Sequence, residues 1–143
     1  MFIGLFKKLY TIRRYGTQTI VKGYASAPHT DFMTWLDVQP YSPDDLKVLP
    51  EGERTEKRVK TFGGERLVSS DAIEGVLSDR LFYEGRWYQC TSSVMWEHTI
   101  LRHYRSDFVL MSQNEQSKMK PPNPPQPLPN PELEPDPGDG GEA

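Results

Sequence analysis

Two residues, Glu84-Gly85, separate the aromatic-rich runs Asp79-Arg80-Leu81-Phe82-Tyr83 and Arg86-Trp87-Tyr88-Gln89-Cys90. A two-residue connection ending in glycine between strand formers specifies a tight antiparallel hairpin, because glycine accepts the positive φ of such a turn. A second pattern agrees with it. Along Asp31–Gln39, Phe32, Thr34, Leu36 and Val38 share one face, while Asp31, Met33, Trp35, Asp37 and Gln39 share the other. That period of two marks a half-buried strand, and Pro40 ends it by offering no N–H to a ladder.

The rest of the chain fits around these two segments. Leu9–Arg14 suits an edge strand, Tyr15-Gly16-Thr17 a turn, and Thr19–Lys22 a second short strand closing a hairpin. Gly23–Thr30 reads as loop. Ser42-Pro43-Asp44-Asp45 is a helix start, with Ser42 as N-cap, Pro43 at the first helical position and acids in the first turn. Pro50 and Gly52 keep that helix to about two turns. Lys57–Phe62 and Arg66–Val68 are short strand candidates on either side of a tight turn at Gly63-Gly64. In Val94–Met111, Trp96, Ile100, His103 and Tyr104 would share a helical face, but two-fold alternation from Thr99 onward favours one or two strands. The expected fold is mainly β: a small barrel or sandwich of six or seven short strands with one short helix.

Composition divides the chain. Nine of its 13 prolines lie between Pro121 and Pro137, where Leu128 and Leu133 are the only aliphatic residues and aromatics are absent. Such a stretch buries too little apolar surface to offset an ordering cost of roughly 1–2 kcal/mol per residue. Residues 1–119 are therefore expected to form a β-rich assembly domain, and residues 120–143 a disordered, acidic, proline-rich tail. Charge splits at the same place: a net of +2 up to Lys120 and −5 beyond it, giving −3. A nearly neutral domain lacks the basic excess usual in nucleic-acid binders.

Cys90 is the single cysteine, so no internal disulfide is available and a reducing compartment suits the chain. The N-terminal apolar run is short and is followed, not preceded, by its charges, which is the wrong order for a secretory signal and too short to span a bilayer. Cytoplasmic synthesis, with no membrane partner, is the expectation.

Catalytic patterns are not visible. Cys90 sits in a predicted strand, where a buried inert thiol is the plain reading. His98 and His103 are five apart, which fits neither the helical register nor one strand face, and His29 is remote. Gly63-Gly64 lacks the Lys-Ser/Thr of a phosphate loop. No catalytic, metal or cofactor-binding residue is expected. The aromatic load is more telling. Trp35, Tyr41, Phe62, Phe82, Tyr83, Trp87, Tyr88, Trp96, Tyr104 and Phe108 are many large side chains for one small core. Most should pack inside, but Trp35 and Met33, opposite Phe32 and Leu36, suggest a face covered by a partner chain.

An ordered set of phrases adds to this: Ile12-Arg13-Arg14, Asp37-Val38-Gln39-Pro40, Leu49-Pro50-Glu51-Gly52-Glu53-Arg54, Asp79–Tyr88, and Trp96 through Leu101 to His103-Tyr104. Together they span roughly residues 10–110 and resemble the head–tail joining or head-closure (neck, collar, stopper) proteins of tailed bacteriophages. The resemblance implies a virion protein: a β-barrel-like subunit in a homo-oligomeric ring, six- or twelve-fold, that contacts a portal or adaptor protein and tail proteins and lets double-stranded DNA pass. Met33, Trp35, Leu49, Pro50, Glu51, Gly52 and Arg54 are the candidate subunit interface. Asp44, Asp45, Glu51 and Glu53 are candidates for an acidic lumen that would ease sliding of DNA. The acidic tail departs from the family pattern. The alternative is a small-barrel nucleic-acid-binding module, with Arg13, Arg14, Lys57, Arg58 and Lys60 on phosphates and aromatics stacking on bases. A third reading, a proline-motif adaptor, rests on Pro121–Pro137 alone.

Overall fold

The structure, a computed structural model, describes residues 7–17, 19–21, 24–26, 28–69, 77–98 and 101–123. Six strands close into an antiparallel barrel: β1 (Lys8–Tyr15), β4 (His29–Pro40), β5 (Arg58–Gly63), β6 (Arg80–Tyr83), β7 (Arg86–His98) and β8 (Leu101–Leu110). Their order around the barrel is β1-β4-β5-β8-β7-β6, and β6 returns to β1 through Thr11↔Phe82, Ile12↔Leu81 and Arg13↔Arg80. β2 (Thr19–Val21) and β3 (Tyr24–Ser26) form a separate two-stranded sheet. The expected choice between barrel and sandwich thus resolves to a barrel.

Alternation dictates the interior. Ile12, Leu36, Val59, Leu67, Leu81, Tyr88, Cys90 and Phe108 form one buried cluster, with Tyr10, Phe32, Val38, Tyr83 and Leu110 packed against it. Each fully buried large side chain contributes on the order of 1.5–3 kcal/mol. The strand faces expected for residues 31–39 are those observed, with Leu36 buried and Trp35 outside. The hairpin turn at Glu84-Gly85 also forms as expected, with φ of 51° and 79°.

Several local expectations are corrected. The first strand is no edge and does not pair with β2, Thr19–Val21 (Lys22 of the expected strand lies outside the described residues). β1 lies between β4 and β6, in an eight-pair register with β4 running from Lys8↔Leu36 to Tyr15↔His29. Three-residue β2 offers a ladder of at most three pairs, whereas β4 gives β1 eight and carries Phe32, Thr34 and Leu36 on the core side. β2 pairs instead with β3, inside the stretch expected to be loop, and His29 and Thr30 already belong to β4.

Residues 66–68 do not form a strand, and Gly63-Gly64 is not a hairpin turn. Gly63 ends β5 pressed against β4: a Cβ there would lie 2.6 Å from Leu36 Cδ2 and 3.1 Å from the Trp35 carbonyl oxygen. The segment beyond it turns back onto the barrel. Leu67 enters the core, its N–H donates to Ser93 Oγ at 3.1 Å, and Val68 N–H donates to Asp79 Oδ2 at 2.9 Å.

The shared helical face of Trp96, His103 and Tyr104 does not exist. Trp96 pairs with His103 and Met95 with Tyr104 across β7 and β8, while Ile100 lies outside the described residues. A bulge between Cys90 and Ser92 shifts the register, and Thr91 Oγ1 donates to the Asp107 carbonyl at 3.2 Å.

The expected short helix is α1 (Pro43–Lys47), and a second, α2 (Gln113–Lys118), follows the barrel. Contacts to the barrel continue through Asn123, past the expected domain end at residue 119. The expected disorder of the tail lies, from residue 124 onward, outside the described residues.

Candidate assembly surfaces

The connection from β4 to β5 is braced from its first residue. Ser42 and Asp45 form a reciprocal capping box: Asp45 N–H donates to Ser42 Oγ at 3.2 Å and Ser42 N–H to Asp45 Oδ2 at 2.8 Å. Asp45 then reaches the outer face of the barrel, with Lys60 Nζ at 2.7 Å and Arg105 Nη2 at 3.4 Å. Arg105 Nε also holds Asp107, 3.0 Å away, and the Tyr41 hydroxyl donates to Asp107 Oδ2 at 2.7 Å. Burial works to raise the pKa of Asp45, but hydrogen bonds from Lys60 and Ser42 outweigh it and hold the carboxyl well below its usual range. Burial, and then Asp107, push the Tyr41 phenol up.

Beyond α1 the chain projects. Residues 51–53 form a 3₁₀ turn, and Arg54 folds back to donate to the carbonyls of Leu49 (3.0 Å) and Lys47 (3.3 Å). Pro50, Glu51, Gly52 and Glu53 are exposed, Leu49 is half-buried, and Val48 is 84% exposed. Here lie five of the seven candidate interface residues: Leu49, Pro50, Glu51, Gly52 and Arg54. The other two are apart from them. Met33 is half-buried and Trp35 is 39% exposed on the outside of β4. Trp35 is five residues before Pro40, where the loop departs, roughly 17 Å along a strand. The structure therefore separates the candidate interface into two patches. The acidic set is divided as well: Asp44, Glu51 and Glu53 are exposed, but Asp45 is engaged by Lys60 and Arg105.

Most cations of the nucleic-acid reading are also occupied. Arg13 is paired with Asp31, Arg14 with Asp79 at 2.8 Å, Lys60 with Asp45, and Arg58 lies 3.6–3.7 Å from Glu56 and Glu53. Of the five, only Lys57 is exposed without a carboxylate partner among the described residues. Cys90 is fully buried, and desolvation followed by the nearby Asp79 pushes its thiol up to about 12, so it is a poor nucleophile. His103 is buried against Phe62, with ring centroids 6.1 Å apart; His29 is exposed beside Tyr15; the side chain of His98 lies outside the described residues.

Two surfaces were not anticipated from sequence. The β5–β8 ladder ends at Gly63↔Tyr104, whereas β7 and β8 stay paired out to His98↔Leu101. The tip is a two-stranded arm among the described residues, and near its base Val94 and Met95 are 54% and 45% exposed.

The second surface lies over β6, β7 and β1. Gln116 of α2 clamps the backbone of Trp87, accepting from its N–H at 2.9 Å and donating to its carbonyl at 2.7 Å. Residues 119–123 then cross the outside of the barrel as a strap. Arg13 lies 4.5 Å over the Trp87 ring, donates to both Asp31 oxygens and reaches the Pro121 carbonyl at 3.1 Å. Asn123 N–H closes the strap on Asp31 Oδ2 at 2.8 Å, and Pro122 within the strap is buried. Between α2, the strap and the β6–β7 hairpin is an open groove of about 610 Å³ floored by Phe82 and Trp87, with Arg86 and Ser117 at its sides.

No known family model matches the chain, and no curated protein matches it.

Proposed function

We propose that the chain is a structural virion protein of a tailed bacteriophage, a ring-forming subunit of the neck or collar that joins head to tail and helps to close the genome channel. The observation that carries this reading is the presence of two separate surface patches: Met33 and Trp35 on the outside of the middle of β4, and the residue 49–54 loop beyond its C-terminal end. Head-to-tail rings are built from two different surfaces on each subunit, and they close when the rotation between neighbours permits. A closed barrel suits such a role, because among the described residues it leaves free edges only on the β7–β8 arm and the short β2–β3 ribbon, which limits the routes by which subunits could add to one another indefinitely. The ordered sequence phrases that resemble neck proteins give the same direction. The occupied state of Arg13, Arg14, Arg58 and Lys60 leaves the nucleic-acid alternative without most of the phosphate contacts it invoked.

The test is assembly on portal-bearing, tail-less heads. Added protein is expected to form a ring below the portal, visible by negative-stain electron microscopy, and to render the heads competent for tail attachment. Trp35→Asp and Leu49→Asp are each expected to abolish the ring while leaving the circular dichroism spectrum unchanged. Protein that remains monomeric beside such heads and leaves them unaltered overturns the reading.

A further inference from the structure

We infer that the groove between α2 and the β6–β7 hairpin receives the proline-rich segment of a second copy of this chain, so that subunits are tied by their own tails. The inference concerns self-association and stands independently of where the assembly is seated.

The barrel already displays the chemistry of such a contact with its own chain. The tract's first two prolines are seated on it: Pro121 borders the groove and Pro122 is buried next to it, over the cluster of Arg13, Asp31 and Trp87. The remaining floor is of the same kind. Phe82 and Trp87 pack edge to face with centroids 5.0 Å apart, and Met119 adds a flexible apolar wall. Proline-rich segments dock on aromatic-lined grooves because their extended conformation loses little entropy on binding. Charge agrees. Arg86 is exposed at the groove and forms no ion pair among the described residues, whereas the tract carries Glu132, Glu134 and Asp136 and no basic residue.

Geometry disfavours the same chain's tail as occupant. The strap leaves the groove at Pro121 and crosses towards β4, where Asn123 is tied to Asp31. Arg13 stands between the two, 4.5 Å over the Trp87 ring and 2.9 Å from the Asp31 oxygen that holds Asn123 N–H, so the chain at Asn123 is tied beyond Arg13 and not to the aromatic floor of the groove. The next residues are Pro124-Pro125, and no glycine occurs before Gly138 to permit a tight reversal. Extended at about 3.1 Å per residue, residues 124–137 span roughly 43 Å. That length exceeds the diameter of a domain of this size, on the order of 35 Å, and is sufficient for the tract to span to a neighbouring barrel.

Cysteine trapping in the full chain tests this, since Cys90 is buried and does not compete. Ser117→Cys places a thiol beside the groove, and Asn130→Cys places one in the tract. Mixing the two single variants under mild oxidation is expected to give a hetero-linked dimer several-fold more abundant than either homodimer. Adding Arg86→Glu to the Ser117→Cys chain is expected to cut that yield several-fold. Gln113→Cys, at a second exposed position on α2, serves as an independent placement. A hetero-linked yield no greater than the homodimers for both placements overturns the inference, as does a yield indifferent to Arg86→Glu. An intrachain loop formed at high dilution by the double variant Ser117→Cys/Asn130→Cys assigns the groove to the chain's own tail and also overturns it.

Discussion

Arg13 and Asp31 form a two-pronged ion pair, Nε to Oδ1 at 2.8 Å and Nη2 to Oδ2 at 2.9 Å, with each side chain only 3% exposed. The pair joins two strands distant in sequence and supplies a bond from each partner to the strap: Arg13 to the Pro121 carbonyl and Asp31 to Asn123 N–H. Burial acts to raise the pKa of Asp31, but the Arg13 and Asn123 hydrogen bonds bring it below its ordinary value. It is therefore a fixed anion that organises the exit of the chain from the barrel.

Breaking this pair strands a buried charge, which typically costs about 3–5 kcal/mol. Asp31→Asn and Arg13→Met should each lower the urea midpoint accordingly. The double variant Arg13→Met/Asp31→Leu should lose less than either single change, because no unpaired charge remains. In Asp31→Asn the strap also loses its anchor, so tryptic cleavage after Lys118 should accelerate; Lys120 precedes Pro121 and is not a tryptic site. Equal cleavage rates in wild type and variant would show that the strap is held elsewhere.

The turn between β6 and β7 contains a removable strain. Glu84 has φ of 51°, a conformation that suits asparagine or glycine better than glutamate. Glu84→Asn should raise stability by about 0.5–1 kcal/mol, a gain of a few degrees in Tm. Gly85→Val, at φ of 79°, should lower it by more than that.

Sequence made some elements plain because their signals are local. The Glu84-Gly85 hairpin, the faces of residues 31–39 and the Ser42-Pro43 helix start each depend on a few adjacent residues. Pairing partners were less accessible. β1 chooses β4 over the nearer β2 because of the apolar area the whole barrel can cover, and no local pattern records that area. The bulge at Thr91 reverses the phase of β7. Val94, which simple alternation puts on the face of Cys90, instead pairs with Arg105 on the other side. The candidate interface was visible as residue types, but not its division into two patches. The Arg13–Asp31–Trp87 cluster was hidden because its members lie 18 to 74 residues apart and each looks unremarkable alone.

Gly63 shows how tightly β4 and β5 approach. Gly63→Ala would put a methyl group 2.6 Å from Leu36 Cδ2 and 3.1 Å from the Trp35 carbonyl oxygen. The side chain can turn aside more easily than the backbone can, so a cost of about 1–3 kcal/mol is expected. Leu36→Val should recover part of it when combined with Gly63→Ala, although alone it destabilises. Strictly additive losses would mean that the Trp35 carbonyl, and not Leu36, sets the limit.

Acid and alkali should act through different groups. Asp31 and Asp45 both have native pKa values below the ordinary 3.8, so their unfolded forms bind protons first as pH falls. Their stabilisation is complete above that ordinary value and disappears as pH drops through the native ones. Asp45→Asn should flatten the acid limb of a stability-versus-pH curve, and raising the salt concentration should do little to either limb because these carboxylates are largely shielded. On the alkaline side, burial raises Cys90 to about 12, and burial followed by Glu84 raises Tyr83 to about 12. Here the unfolded chain loses protons first. Stability should be full below about pH 9, where the free thiol begins to ionise, and should decline from there towards 12. Cys90→Ala removes the thiol's share, so its curve should stay flat to higher pH before tyrosine ionisation takes over. An alkaline limb identical to wild type would assign the decline to Tyr83 and its neighbours alone.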